Sequence, residues 1–259
     1  MTDSGTIKSY DDNAGAWARR IRSRKNYAHE YLEKPAMYGK LPDLAGLEVL
    51  CIGCGSGEEC DRLKKLGAAK VVGIDISRGL IEQAKYAFPG VEFLVMDMEK
   101  MNFPDSSFDF IYSSLTLHYA KEWTGILRNA FRILRLEGRV LFSTHHPIKW
   151  GAESAREGKR SSVLLGYYKY DDEKEKWEIF GDYLNTRRVQ GKWFDELEVA
   201  YYHKPLSEIL REIRESGFVV SDFLEPKAAA GAKKIRPDFY EIHQKIPLFM
   251  IFELFKTKE

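Results

Sequence analysis

Excess charge of either sign is missing from this chain: 40 lysines and arginines meet 39 aspartates and glutamates, a formal net charge of +1. A partner held by its phosphate backbone through bulk electrostatics is therefore not expected, although a local basic patch is compatible with the balance. Long hydrophobic runs are missing too. No stretch reaches the roughly eighteen apolar residues of a membrane-spanning helix, so no segment is expected to cross a bilayer. The opening residues, MTDSGTIKSYDDN, are polar and lack the apolar core of a secretory signal, which points to the cytoplasm.

Cysteine is scarce, at positions 51, 54 and 60 only. Cys51 and Cys54 form a C-x-x-C, but no second pair and no nearby histidine accompany it. A structural zinc takes about four ligands, so no metal is expected, and unpaired thiols suit a reducing compartment. Internal repeats and low-complexity tracts are absent as well. With 259 residues, 44% of them hydrophobic, the chain suffices for one large domain, or one with an insertion, around a sizeable core.

What the sequence does contain is a strand running into a glycine turn, VLCIGCGSG, from Val49 to Gly57. Val49, Leu50 and Ile52 supply the apolar strand, with Cys51 as a small hydrophobe among them. Gly53, Gly55 and Gly57, with Cys54 between them, let the backbone turn tightly and lie close against a ligand. From Glu58 the spacing becomes helical, with Cys60, Leu63 and Leu66 on one side. Strand, glycine turn and helix open a nucleotide-binding βαβ unit.

The second apolar run, KVVGIDI, ends in Asp75 and Ile76, and the carboxylate stands 18 residues after Gly57. That is close to the spacing at which an acid at the tip of a second strand meets a ribose hydroxyl. The plainer reading makes Asp75 a helix N-cap, a role that Ser77 fills better. A dinucleotide fingerprint would place a small residue where Glu58 stands. A carboxylate at a helix start also repels a pyrophosphate. A cationic ligand without phosphates fits better, which indicates S-adenosylmethionine.

With its glycine loop and Asp75, the third strand VEFLVMDME ending in Asp97 and Met98, and the fourth strand FDFIYSSLTLHY after the turn FPDSS, the sequence resembles the class I S-adenosylmethionine-dependent methyltransferases. Within them it is similar to the UbiE-like (type 11) group of mostly small-molecule enzymes. The likeness covers roughly residues 27–144. It implies a Rossmann-like α/β fold, a seven-stranded, mostly parallel sheet with helices on both faces and an antiparallel last strand. It also implies a cofactor site at Gly53, Cys54, Gly55, Gly57, Asp75, Ile76, Asp97, Met98 and Ser113. Many members carry an acid at the position of Cys51, where it helps hold the methionine amino group.

Periodicity gives strands near 47–52, 70–75, 91–96, 108–113 and 138–144, separated by helices near 57–66, 78–87 and 121–135. Residues 1–9 show no apolar periodicity and read as disordered. Short helices follow, from Asp12 to Ile21 and from about Asn26 to Tyr38, the latter interrupted by Pro35. By the resemblance, residues 1–40 form a helical lid over the cofactor, which brings Tyr10, Tyr27 or Tyr31 towards the ligand; core packing is the alternative. The methyltransferase domain comprises 41–147 and 204–259.

Residues 148–203 contain eleven of the 34 aromatics and nearly balanced charge, ten basic against eleven acidic. LLGYYKY, KWEIFGDYL and ELEVAYYH read as strands of a small antiparallel cap inserted after the fifth strand. Either the cap is a structural extension, or Trp150, Tyr168, Trp177, Tyr183, Trp193 and Tyr201 line a ligand chamber beneath it. Beyond it, a helix is expected over 205–216, a strand over 218–224, a loop over 226–238 and a strongly hydrophobic strand over 246–255.

Methyl transfer asks for an in-line nucleophile in a dry pocket, and for a general base only when the acceptor arrives protonated. The base candidates are His118, His145 and His146, just past the fourth and fifth strands, with at most one in that role. Each has the alternative of holding a loop by hydrogen bonds. His29, His203 and His243 rank behind them. SSLTLHY stands where an Asn-Pro-Pro-Tyr would mark an exocyclic-amine enzyme. The expected acceptor is a small molecule, the expected assembly a monomer or homodimer, and nucleic acid is a poor fit. A non-catalytic S-adenosylmethionine-binding module, an RNA methyltransferase and a nicotinamide-dependent oxidoreductase are the competing readings.

Overall fold

Four of the first five strands alternate with α-helices, while a 3-10 turn, Met98–Lys100, links the third to the fourth, and a computed structural model shows how they are ordered. It describes residues 2–150, 168–171, 175–179, 181–194 and 197–257. Strands β1 (Glu48–Ile52), β2 (Lys70–Asp75), β3 (Glu92–Val95), β4 (Phe108–Ser113) and β5 (Leu134–His145) pair in parallel. Two more, β10 (Val219–Leu224) and β11 (Phe249–Phe255), complete a seven-stranded sheet in the order β10-β11-β5-β4-β1-β2-β3. β11 runs antiparallel to both its neighbours, β5 and β10.

Alternate residues of each central strand serve two cores, which is why these strands read as continuous apolar runs. Leu50, Val72, Ile111, Phe142 and Phe252 face one side, covered by α6 (Thr124–Ile133) and α8 (Leu206–Glu215). Val49, Cys51, Val71, Phe93, Phe110 and Tyr112 face the other, against α3 (Lys34–Tyr38), α4 (Glu58–Lys65) and α5 (Arg78–Ala87). Helix α4 places Cys60 and Leu63 inward, and all three cysteines are buried free thiols. The parallel order reverses beside β1, where β2 lies on one side and β4 on the other, and ligands of such sheets sit at that switch point.

The N-terminal residues depart from the expected disorder. Ser4–Asp12 form α1, and Ala14–Arg22 form α2. Asp3 caps α1 by accepting from the Thr6 amide at 3.0 Å. Thr6 Oγ1 and Ser9 Oγ then accept from the Ala200 and Glu198 amides of a strand far along the chain. These tertiary bonds replace the missing apolar periodicity, which is why local pattern gave no helix. Residues 26–38 divide into a π-helical turn, His29–Glu33, and α3, with Pro35 in the first turn of α3, where a lost N–H costs nothing.

After a single turn, α7 (Pro147–Trp150), the described residues before α8 form two antiparallel hairpins, each a two-stranded sheet. One is β6 (Tyr168–Asp171) with β7 (Lys176–Ile179), the other β8 (Arg187–Trp193) with β9 (Leu197–His203). β8 escaped the pattern because Arg188, Gln190 and Lys192 take its outer face and leave few apolar residues. The expected loop over 226–238 contains helix α9 (Ala232–Ile235) and the start of α10 (Pro237–Ile242). Ala228 and Ala232 pack there against Leu32, Leu248 and Phe249. Small alanines buried by neighbours carry no sequence signal of their own.

Candidate functional site

A cavity of about 330 Å³ opens over the carboxyl ends of β1, β2 and β4. The glycine turn forms its floor, α1 and α2 contribute Thr6, Tyr10 and Trp17, and the second hairpin contributes Trp193 and Phe194. At Gly55 the backbone is left-handed, φ +53°, and an added Cβ would meet only Trp17 Nε1, at 3.8 Å. That stretch of backbone therefore borders open space, a cradle that a side chain would fill. Gly57, at φ +92°, serves a different purpose. A Cβ there would lie 2.8 Å from Phe93 Cζ and 3.0 Å from Ala84 Cβ, so it lets α4 and α5 pack tightly on the sheet.

Asp75 closes the tip of β2. Its carboxylate accepts from the Gly55 amide at 2.9 Å and from the Ser77 amide at 2.9 Å, which joins the glycine turn to the second strand. Burial raises its pKa, and those amides pull it part of the way back. Ser77 caps α5 through its hydroxyl oxygen, so the capping role is taken and Asp75 borders the cavity. Asp97 accepts from the Glu99 amide and starts the short 3-10 turn Met98–Lys100, with Met98 beneath it.

Of the residues singled out from the sequence, Gly53, Cys54, Gly55, Asp75, Ile76, Asp97, Met98, His118 and His145 border this cavity. Gly57, Ser113 and His146 do not. The Ser113 hydroxyl donates to the Ile52 carbonyl at 3.1 Å and ties β4 to β1, while its neighbour Ser114 faces the cavity. His146 packs on the far side of β5, its Nε2 2.7 Å from Glu225 and its Nδ1 accepting from the Ile148 amide. Burial lowers its pKa against the pull of Glu225.

His118 and His145 form the back of the chamber, stacked with ring centroids 3.7 Å apart. Tyr119 lies against His118 at 4.4 Å, and its hydroxyl meets that of Tyr10 at 2.7 Å and accepts from Trp193 Nε1 at 3.3 Å. Of the six aromatics expected to line the chamber, Trp193 does so, and Tyr201 stacks behind it at 5.4 Å. Tyr183 turns to His203 instead, and the side chains of Trp150, Tyr168 and Trp177 lie outside the described residues. Tyr27 and Tyr31 stack on each other away from the cavity; of the three N-terminal tyrosines expected near the ligand, Tyr10 lines it.

Several lining residues were not among the expected cofactor contacts, and of them His29 stood only as a minor base candidate. His29, Glu59 and Tyr112 border the cavity, and Glu33 lies buried behind them. His29 and Glu33 are four residues apart on one helical face, a spacing visible in the sequence. Their meeting with β4 and α4 depends on the fold. Among the described lining residues stand four carboxylates, Glu58, Glu59, Asp75 and Asp97, and no lysine or arginine. No group of three or more histidine, cysteine or acidic side chains among the described residues is placed to hold a metal.

The strand order, the open glycine turn and the strand-end carboxylates define a nucleoside-binding α/β protein of the doubly wound kind. Residues 50–142 match the family model described as a methyltransferase domain. An uncharacterised protein of Haemophilus influenzae is 30% identical over 258 residues, covering 95% of this chain and 96% of its own. The 27-O-demethylrifamycin SV methyltransferase of Amycolatopsis mediterranei is 35% identical over 108 residues, 39% of this chain and 40% of that one. The S-adenosylmethionine-dependent methyltransferase of Mesorhizobium loti superposes with a TM-score of 0.70 at 28% identity, covering 86% of this chain and 97% of that structure. This chain belongs to the class I S-adenosylmethionine-dependent methyltransferases, and S-adenosylmethionine is its cofactor. No described helix is long and apolar enough to cross a membrane.

Proposed function

We propose that this methyltransferase acts on a small organic acceptor seated in the aromatic chamber formed by Tyr10, Trp17, Tyr119, His145, Trp193 and Phe249. The observation that carries the reading is the division of one cavity into an acid-lined floor and an aromatic back. Four carboxylates line it without a lysine or arginine; Glu58 and Glu59 are paired from outside with Arg22 and Lys34, and Asp75 and Asp97 remain to suit a cation and repel a pyrophosphate, which favours S-adenosylmethionine over a dinucleotide. Bound there, the cofactor supplies a methyl group activated on a sulfonium.

The chain's own residues then bind, orient and exclude water. Asp75 would take the ribose hydroxyls, Asp97 and Met98 would hold the base, and Gly53 to Gly55 would carry the sulfur-bearing arm, all of them lining the cavity. Tyr10, Trp17 and Trp193 wall the acceptor chamber from α1, α2 and the second hairpin, and positioning of this kind is worth about 7–11 kcal/mol of a barrier in favourable cases. His145 borders the acceptor position, while His118 stays neutral behind it because burial drives its pKa down to about 3. His146 holds the chain after β5 through Glu225.

RNA is the less suitable acceptor. The basic residues of 227–236 lie away from the cavity, and Arg236 is paired with Asp238 at 2.8 Å. Incubating the protein with methyl-labelled cofactor and either pooled metabolites or total RNA tests the assignment. Label is expected in metabolites; label confined to RNA would reverse it.

A further inference from the structure

Between the glycine turn and the π-helical turn, one wall of the cavity carries charge that its own neighbours leave incompletely answered. Glu33 is fully buried, and its Oε1 accepts from Ser143 Oγ at 2.6 Å and from Ser114 Oγ at 2.9 Å. Its Oε2 lies 3.2 Å from His29 Nε2. Burial alone would depress the His29 pKa, and Glu33 and Glu59 outweigh it, so the net shift is upward. Glu59 stands on the cavity surface. Lys34 Nζ and His29 Nε2 form only long ion pairs with its Oε1, at 3.4 and 3.6 Å, and Lys34 is shared with Glu30 at 2.7 Å.

The adjoining hydroxyl is a second, independent sign. Tyr112, on β4, is 1% exposed, borders the cavity, and its phenolic oxygen has no hydrogen-bond partner. A buried hydroxyl without a partner is unfavourable, so a ligand group that completes it is favoured. Cys51 faces the same wall from β1 and brings no charge to it. What this wall lacks is a compact donor of several hydrogen bonds with a positive charge. A primary ammonium is such a donor, with three N–H groups.

We propose that Glu59 and Tyr112, backed by the buried Glu33–His29 pair, are the seat of the ammonium group of the cofactor's methionine. The inference rests on the assignment of this cavity to S-adenosylmethionine and adds the residues that read its amino-acid end. Those residues come from the first turn of α4, from β4 and from the lid-side turn, so the amino group reports to the lid as well as to the sheet. Glu33 touches the ligand only through His29 and the two serines and is a positioning residue.

Calorimetric titration with three ligands tests this: S-adenosylhomocysteine, its analogue lacking the amino group, and 5′-methylthioadenosine, which lacks the amino-acid arm entirely. The unaltered protein should prefer S-adenosylhomocysteine to the deaminated analogue by about tenfold or more, as expected for charged hydrogen bonds. Glu59→Gln and Tyr112→Phe should each shrink that preference and leave 5′-methylthioadenosine affinity within about twofold, which also shows that each variant is folded. A preference that survives both substitutions, or a loss shared equally by all three ligands, would assign the cluster a structural role only and overturn the proposal. Binding of none of the three to the unaltered protein would overturn the cofactor assignment of the cavity, and this proposal with it.

Discussion

The imidazole rings of His118 and His145 lie 15° from parallel with their centroids 3.7 Å apart, a stacked pair at the ends of two adjacent stretches of the sheet. His118 follows β4 and is 3% exposed, with no partner for its Nδ1; His145 ends β5 and borders the cavity. Two protonated rings in this position would repel each other in an apolar setting. The arrangement therefore holds only while at least one of them is neutral.

That requirement makes stability depend on pH. Burial depresses the His118 pKa from 6.5 to about 3. Between those values the unfolded chain binds a proton that the folded chain refuses, so stability rises with pH across the window and is lost as pH falls through it. The slope is at most about 1.4 kcal/mol per pH unit from this group. Urea midpoints measured from pH 7 to 4.5 should fall more steeply for the unaltered protein than for His118→Phe. Equal slopes would show that the ring is hydrated and the burial argument wrong.

Gly55 and Gly57 are two residues apart and predict opposite phenotypes. Gly57→Ala puts a methyl group into Phe93 and Ala84 at a left-handed φ, so it should cost stability, about 1–3 kcal/mol or more, seen as a lowered Tm. Gly55→Ala puts its methyl group into the open cradle. Its backbone strain is about 1–2 kcal/mol, and its larger effect should be on affinity for S-adenosylhomocysteine, measured by titration. If Gly55→Ala bound as well as the unaltered protein, the cofactor would not run along this backbone.

Asp75→Ala removes the acceptor of two amides as well as the proposed ribose contact. Affinity for S-adenosylhomocysteine should fall by about 1–3 kcal/mol, the range for losing a charged hydrogen-bonding partner. Asp75→Asn retains one carbonyl acceptor and should fall between the two. A titration in which both variants match the unaltered protein would leave Asp75 a turn-fastening residue only.

The alternation of strands and helices, and the acids at strand ends, were legible because each depends on residues close in sequence. VLCIGCGSG and KVVGIDI carry their period, their turn and their terminal acid within nine residues or fewer. Helix α1 was not legible for the converse reason. Thr6 and Ser9 are ordinary polar residues until β9 arrives to use their oxygens, some 190 residues later in the chain. The ammonium wall is the same kind of object: His29, Glu59 and Tyr112 belong to three elements, and none of the three announces the others. Ser113 illustrates the limit from the other side. Period 2 decides which of two adjacent serines faces the ligand, and a one-residue ambiguity at a strand end reverses the answer.

Asp11 is where α1 is fastened to the sheet's helices, and it yields the last prediction. Its Oδ1 accepts from Ser77 Oγ at 2.6 Å and from the Gly79 amide at 2.9 Å, so the end of α1 is pinned to the start of α5. Contact there is close enough that a Cβ on Gly79 would meet the Asp11 carbonyl at 2.9 Å. Along its length α1 is held to β9 by Thr6 and Ser9, and Arg188 of β8 pairs with Asp3 at 2.9 Å. Helix α1 thus bridges the sheet and the second hairpin, with Tyr10 facing the cavity between the two anchors. Asp11→Ala should release the sheet side at a cost of about 0.5–2 kcal/mol, the usual worth of such a cap, while leaving the global Tm little changed. Amide exchange over residues 4–12 should quicken by up to about thirtyfold, and S-adenosylhomocysteine should dissociate faster. Gly79→Ala, which pushes the same contact apart without touching the carboxylate, should give the same pair of effects. If exchange in α1 were unchanged in both, the hairpin alone would be holding α1, and Thr6→Val would then be the variant that frees it.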